Sequence, residues 1–389
     1  MCKLIVALSN KTQLEVFLSL KDQISATKHS ISYILIHDMT NSHYAAGLSD
    51  AIHIHRSHFE KIITFKKKHS LFHLMQLIRF KKVVSTYLQD KETKGVLTFS
   101  EGGAIDWIII GIANHLDKIT LCLQWAITWP DEVYNKLKRP EKKGLVRDFI
   151  KKHLKIFMGF NYKKMTVFGN GDARHVLTLG EFWTDFLSKK YPTLAKQEKY
   201  ITFGNPKWSA YKQLSKKKKQ QHLLFCTGAG PSLWNSSMEL HIDTIRKVYE
   251  GCQQFLNENQ LILYHKPHPR DKATKTFSTL MEKYSNIKIS QEPLSQLFEK
   301  CNRMITIRST TGFEAILAGL QLIIFDDGSQ EIGFDYSEHN LAQKASNGEQ
   351  LELLLKENLI QKSLPKASIE YFIETEYCGK NLVQILDLK

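Results

Sequence analysis

Between residues 261 and 326 the chain repeats one pattern twice: a short apolar run, a polar motif, then residues at helical spacing. The first run, Leu261-Ile262-Leu263-Tyr264, ends in His265-Lys266-Pro267-His268-Pro269-Arg270. The second, Met304-Ile305-Thr306-Ile307, ends in Arg308-Ser309-Thr310-Thr311-Gly312-Phe313-Glu314-Ala315. A helical stretch at 313–320 and another apolar run at 322–325 follow. This alternation predicts β/α units of a parallel sheet. Such sheets bind ligands at the carboxyl ends of their strands, where both motifs fall. Imidazole, ammonium, guanidinium, hydroxyls and a glycine-opened helix start all favour an anion, most simply a phosphate.

The same alternation runs through the rest of the chain. Strands are expected at 3–8, 31–37, 96–99, 119–123, 200–203 and 222–226. Helices are expected at 13–23, 44–51, 71–88, 104–116, 177–189, 234–256 and 348–357. A chain of 389 residues, 42% of them hydrophobic, has enough core for two domains. The run Ser215-Lys216-Lys217-Lys218-Lys219-Gln220-Gln221 reads as a hydrophilic linker. The expected division is therefore 1–206, a basic linker at 207–221, and 222–389, with the last stretch able to cross back. The second domain opens with a strand followed by Gly228-Ala229-Gly230, a geometry that brings backbone N–H groups to a phosphate. A third glycine and a following acidic residue are missing, so this is no dinucleotide fingerprint.

The order of these motifs resembles the donor-binding half of GT-B glycosyltransferases of bacterial surface polysaccharide synthesis. Lys266-Pro267-His268-Pro269 followed by Ser309-Thr310-Thr311-Gly312-Phe313-Glu314-Ala315 is similar to capsule and O-antigen β-Kdo transferases. Bacterial polysialyltransferases share the His-Pro motif and a later Ser/Thr pair, and CDP-glycerol glycerophosphotransferases share part of the pattern. The resemblance lies in scattered blocks between residues 96 and 327. It implies an α/β protein of GT-B class, with two Rossmann-like domains facing across a cleft. It also implies a donor site of Gly228, Gly230, Lys266, His268, Pro269, Arg308, Ser309, Thr310, Thr311, Gly312 and Glu314. His268 with Lys266 would hold the donor phosphate, and Glu314 ribose or sugar hydroxyls. The implied donor is a CMP-activated acidic sugar of the Kdo or sialic acid type.

In the first domain a short strand ends in Ser100-Glu101-Gly102-Gly103. A carboxylate on a glycine-rich strand-to-helix turn suits a catalytic base. The polysialyltransferases carry an acidic-acidic-glycine motif there, whose first acidic position is Ser100 in this chain. Glu101 is thus expected as base, or as nucleophile in a retaining enzyme, with His268 the second catalytic residue. Asp106 and Asp172 are the fallbacks for the base. Gly102, Gly103 and Gln124 are expected to contact an acceptor. No Asp-x-Asp occupies the expected metal position, and Asp326-Asp327 reads as a strand cap, so no metal and no cofactor beyond the nucleotide-sugar substrate are expected. His53, His55 and His58 cluster in sequence, the first two on one face of a strand-like segment, but without a supporting carboxylate or cysteine nearby they read as a solvated strand end rather than metal-ligating.

Net charge is +15 and the sequence carries no nucleic-acid-binding signature, so the expected partners are a nucleotide sugar and a glycan or glycolipid acceptor. Residues 136–164 interleave basic and apolar side chains and suit an anionic membrane surface or an anionic acceptor. Six scattered cysteines read as thiols of a reducing compartment. With no signal sequence or spanning run, the expected location is cytoplasmic, peripheral on the inner face of the membrane. Three rival functions remain open: a CDP-glycerol-type polyol-phosphate transferase, an enzyme similar to UDP-GlcNAc 2-epimerase, and a non-catalytic glycan- or lipid-binding protein.

Overall fold

The computed structural model describes residues 2–27, 29–38, 47–65, 70–101, 103–127, 168–217, 219–228, 237–268, 274–307, 309–329, 334–357 and 366–386. The basic segment 136–164 lies outside them. The chain divides into two compact units, Met1–Ala126 with Lys142–Lys207 and Glu370–Lys389, and Ile127–Glu141 with Trp208–Ile369.

The first unit holds strands β1 (Cys2–Leu8), β2 (Ile31–Asp38), β3 (Lys61–Phe65), β4 (Thr93–Thr98), β5 (Ile119–Leu123), β6 (His175–Thr178) and β7 (Tyr200–Thr202). They form one parallel sheet in the order β3-β2-β1-β4-β5-β6-β7. Their near-continuous apolar runs suit a sheet covered on both faces. One face packs against α1 (Lys11–Ala26) and α2 (Leu48–Ile54), the other against α3 (Ser70–Gln89) and α4 (Ala104–His115). Alternation along β2 shows the division: Tyr33 and Leu35 join the first cluster, Ile34 and Ile36 the second. Asn10 caps α1 by accepting from the Gln13 amide at 2.9 Å.

The second unit holds β8 (His222–Cys226), β9 (Leu263–Lys266), β10 (Ile287–Ile289), β11 (Cys301–Thr306), β12 (Gln321–Phe325) and β13 (Gln343–Ala345). These also form one parallel sheet, in the order β10-β9-β8-β11-β12-β13. The long helix Met238–Asn259 buries Ile245, Val248, Tyr249, Cys252 and Leu256 against it, a stripe at helical spacing.

Several expected elements differ from the observed ones. His53 lies in the last turn of a helix, α2, and His58 in the 3-10 turn Arg56–His58; the strand of this region comes later, at β3. The helix expected at 177–189 is Glu181–Lys190, preceded by β6, whose four residues are too few to show a period. The linker expected at 207–221 contains a helix, Ser209–Leu214, because Trp208, Tyr211 and Leu214 recur every three residues and are buried. β9 runs through Lys266, so His265 is a core residue, wholly buried, with its Nδ1 bonded to the Tyr249 hydroxyl.

The C-terminal stretch from Glu370 packs on the first unit. The Asn205 amide donates to Glu374 O at 2.9 Å, and helix Cys378–Ile385 adds Leu382 and Val383 to the core under α1. Gly379 makes this approach feasible, since a Cβ there would lie 2.6 Å from the Gln23 backbone carbon. Gly379→Ala should lower the denaturant midpoint of the first unit by about 1–3 kcal/mol of stability through overpacking. An unchanged midpoint would mean that the tail is not seated there.

Candidate functional site

In the second unit the strand order reverses between β8 and β11, so the loops leaving these strands part at that point. The register sets Lys266, Cys226 and Thr306 at one level. The Thr306 hydroxyl donates to Cys226 O at 2.8 Å, and Thr306 Oγ1 accepts the Ser309 amide at 3.1 Å. On the other side, Thr227 Oγ1 accepts the His268 amide at 3.4 Å, which holds the His-Pro turn beside the loop containing Gly228. The hydroxyls of Ser309 and Thr311 are 2.6 Å apart, and the Thr311 amide donates to Ser309 Oγ. Lys266, His268, Gly228, Ser309, Thr310 and Thr311 therefore stand at the carboxyl ends of three adjacent strands. Gly230, Pro269 and Arg308 lie outside the described residues.

Burial depresses the Lys266 ammonium pKa, and its Nζ donates to Glu292 O at 2.6 Å. The Cys226 thiol below is pushed up to about 12 by burial. Two residues of the Ser-Thr motif have a packing role that was not foreseen. At Gly312 a Cβ would lie 2.7 Å from the ring of Tyr336, whose hydroxyl donates to Ser309 O at 3.0 Å. Glycine is needed there for the ring to reach the loop, whatever the loop binds. Glu314 is buried, and its Oε1 accepts the Trp208 indole N–H at 3.1 Å. It anchors the start of the second unit rather than extending to solvent. Trp208 and Tyr336 carry no local signal that marks them as partners of the motif. Asp326 accepts the Gly328 amide and pairs with Lys344; Asp327 accepts from Ser329 and pairs with Lys247.

In the first unit the expected base is buried among hydrogen-bond donors. Glu101 Oε2 accepts the amides of Gly169 at 3.0 Å and Gly171 at 3.3 Å, and Oε1 accepts that of Ala173 at 3.2 Å. Lys199 Nζ lies 3.5 Å from Oε1, with side-chain exposures of 5% for Lys199 and 0% for Glu101. The carboxylate anchors the turn at 169–173, so the group expected as base or nucleophile is enclosed by its own partners. Gln124, expected at the acceptor, is buried, and its Oε1 accepts the Leu179 amide at 3.1 Å. Gly103 precedes α4, and Gly102 lies outside the described residues.

Asp106, on the first turn of α4, is partly exposed. Enclosure by the surrounding protein raises its pKa well above the carboxylate range. Repulsion from Asp38 adds to this, and hydrogen bonds from Ser100 and the Gly103 backbone oppose it. Among the described residues no group of three or more His, Cys, Asp or Glu is placed to hold a metal ion. No described helix is long and apolar enough to cross a membrane.

Residues 195–362 match the family model of capsule polysaccharide biosynthesis proteins. That segment contains the whole second sheet and both phosphate-type motifs. Among curated proteins none matches the sequence. Solved structures similar to this one include UDP-GlcNAc 2-epimerase from Methanocaldococcus jannaschii, at 12% identity and TM-score 0.63 over 100% of both chains. The Neisseria meningitidis UDP-GlcNAc 2-epimerase bound to UDP-GlcNAc gives 13% and 0.62, again over 100% of both. The wall teichoic acid polymerase TagF gives 9% and 0.51 over 99% of this chain and 88% of that one. At such identities the likeness concerns fold, and the fold is of the GT-B class, built from two Rossmann-like units.

Two expectations separate the carboxylates. Glu101→Gln leaves Lys199 without its charge partner in the interior, so stability should fall by about 3–5 kcal/mol. Equal unfolding midpoints for mutant and wild type would restore Glu101 as a free base. Asp106 has the opposite sign. Its folded-state pKa lies above the unfolded value, so its contribution is full at low pH and is lost as pH rises through the carboxylate range toward the folded pKa. The loss amounts to about 1.4 kcal/mol per pH unit crossed. Asp106→Asn should therefore be more stable than wild type at about pH 8 and lose that advantage at about pH 4. Parallel stability–pH curves for the two proteins would contradict this.

Proposed function

We propose that the protein is a glycosyltransferase of surface-polysaccharide synthesis that moves a sugar from a nucleotide donor to a glycan or lipid-linked acceptor. The observation that carries the reading is the convergence of Lys266, His268, Ser309 and Thr311 at the strand ends of the second sheet, within the segment that matches capsule biosynthesis proteins. Lys266 and His268 supply positive charge and donors for the donor phosphate, and the hydroxyls of Ser309 and Thr311 receive it from the β11 side. Such groups stabilise the nucleotide as it leaves, without a metal. The donor suggested by the motifs is a CMP-linked acidic sugar. With Glu101 enclosed by three amides and Lys199, proton abstraction from the acceptor is assigned to Asp106, a partly exposed carboxyl whose pKa is raised by burial. Segment 136–164 is proposed as the contact with an anionic membrane surface.

A second reading, epimerisation of a nucleotide sugar, is favoured by the two epimerase structures that align along the full chain. Thermal stabilisation screened across CMP, CDP, UDP and GDP identifies the nucleotide, because only a ligand of the folded state raises apparent stability. His268→Ala should keep the fold and weaken binding of the stabilising nucleotide roughly tenfold, the cost of one charge-assisted hydrogen bond. Unchanged affinity by calorimetry removes His268 from the site. Stabilisation by UDP alone, with inversion at C2 of UDP-GlcNAc, replaces the transferase reading with the epimerase one.

A further inference from the structure

On the α1/α2 face of the first sheet, an apolar row ends in a histidine. Along β2 the residues on this side are Tyr33, Leu35 and then His37, which is 3% exposed. Thr64 of β3 is its register partner, and Ile62 lies two residues earlier on the same face. Ser49, Ile52 and His53 of α2 and Arg56 from the turn that follows complete the lining of an open pocket of about 250 Å³. The Arg56 guanidinium donates to Phe59 O, which steadies it.

The chemistry of the lining is one-sided. His37, His53 and Arg56 can all donate to an anion, Ser49 and Thr64 add hydroxyls, and Ile52 and Ile62 form apolar walls. Among the described residues that line it there is no carboxylate. Two carboxylates adjoin lining residues in sequence: Asp50 follows Ser49 on α2, and Asp38 follows His37 on the strand and so points to the opposite face, where it acts on Asp106. The volume is below that of pockets for drug-sized ligands, roughly 300–1,000 Å³, and suits one sugar ring or one anionic group rather than a nucleotide sugar. The pocket sits at the carboxyl ends of β2 and β3, the end of a doubly wound sheet that receives ligands.

We propose that this pocket is a subsite for an anionic group of the acceptor, a carboxylate on a sugar or a phosphate, held by Arg56, His53 and His37. The inference rests on the transferase reading for the identity of the ligand as acceptor. The pocket's preference for anions stands on its lining alone.

The test uses the full chain labelled in its histidine side chains, titrated separately with inorganic phosphate, galacturonate and galactose. His37 and His53 resonances are assigned with His37→Asn and His53→Ala. Saturable shifts of both resonances with an anion and none with galactose are expected. Arg56 is exposed, so Arg56→Ala should keep the fold and weaken the anion roughly ten- to hundredfold, as loss of a charge-assisted hydrogen bond does. Response to phosphate alone assigns the subsite to a phosphate-bearing acceptor, and response to galacturonate alone to an acidic sugar. Silence toward both anions, an equal response to galactose, or unchanged affinity in Arg56→Ala overturns the proposal. Nucleotide stabilisation measured on the same samples separates the two readings. If nucleotides bind and the pocket is silent, only the subsite falls. If the pocket binds anions and no nucleotide stabilises the protein, the anion site stands and its assignment to an acceptor falls.

Discussion

A parallel sheet that winds outward in both directions from its first strand parts the loops of two neighbouring strands, and the rest of the second unit depends on that parting. β8 and β11 pair side by side, yet the chain leaves one toward β9 and the other toward β12. Thr306 ties the divergent pair together, with its hydroxyl on the β8 carbonyl and its oxygen on the Ser309 amide. The polar groups that follow are thereby delivered to one place from both strands. Tyr336 then fixes the Ser309 loop from behind, and Gly312 supplies the space it needs. The site is preorganised by backbone pairing, which persists when single exposed side chains change.

The first unit handles charge by contrasting means. Glu101 and Lys199 are both enclosed, and each is satisfied: the carboxylate by three amides and the ammonium, the ammonium also by Gly171 O at 2.5 Å. Burying such a pair costs desolvation, so its clearest effect is to specify one geometry for the 169–173 turn. Asp106 has weaker compensation. Ser100 and the Gly103 backbone help it, while Asp38 and Glu101 work against ionisation. A carboxyl in that position holds its proton more readily, a property that suits proton exchange.

Much of the architecture was legible because each unit repeats one local rule. β5 and β8 have the bounds expected from their apolar runs, and α4 differs by one residue at its end. The failures have particular causes. β6 is four residues long and runs directly into a helix-rich stretch, so periodicity could not separate the two. His265 looked like part of a polar motif, yet it belongs to the strand and to the core, because Tyr249 sixteen residues earlier receives it. Glu101 had the sequence context of a base. Its surroundings are set by amides about seventy residues later and by Lys199, none of which a local motif encodes. The same holds for Glu314 and Trp208, partners across 106 residues.

Long-range partners also decide what two adjacent residues do at the end of β2. His37 and Asp38 are neighbours in sequence, and the pleat sends them to opposite faces. His37 meets the basic turn after α2; Asp38 meets Asp106 at the start of α4. A one-residue slip of this strand would exchange them, placing a carboxylate among Arg56 and His53 and an imidazole beside Asp106. The first would neutralise the anion pocket, and the second would pull the Asp106 pKa down toward the ordinary range. The register of β2 against β1 and β3 therefore sets two chemistries at once. That register is held by the buried apolar residues Tyr33 to Ile36, far more firmly than by either polar side chain.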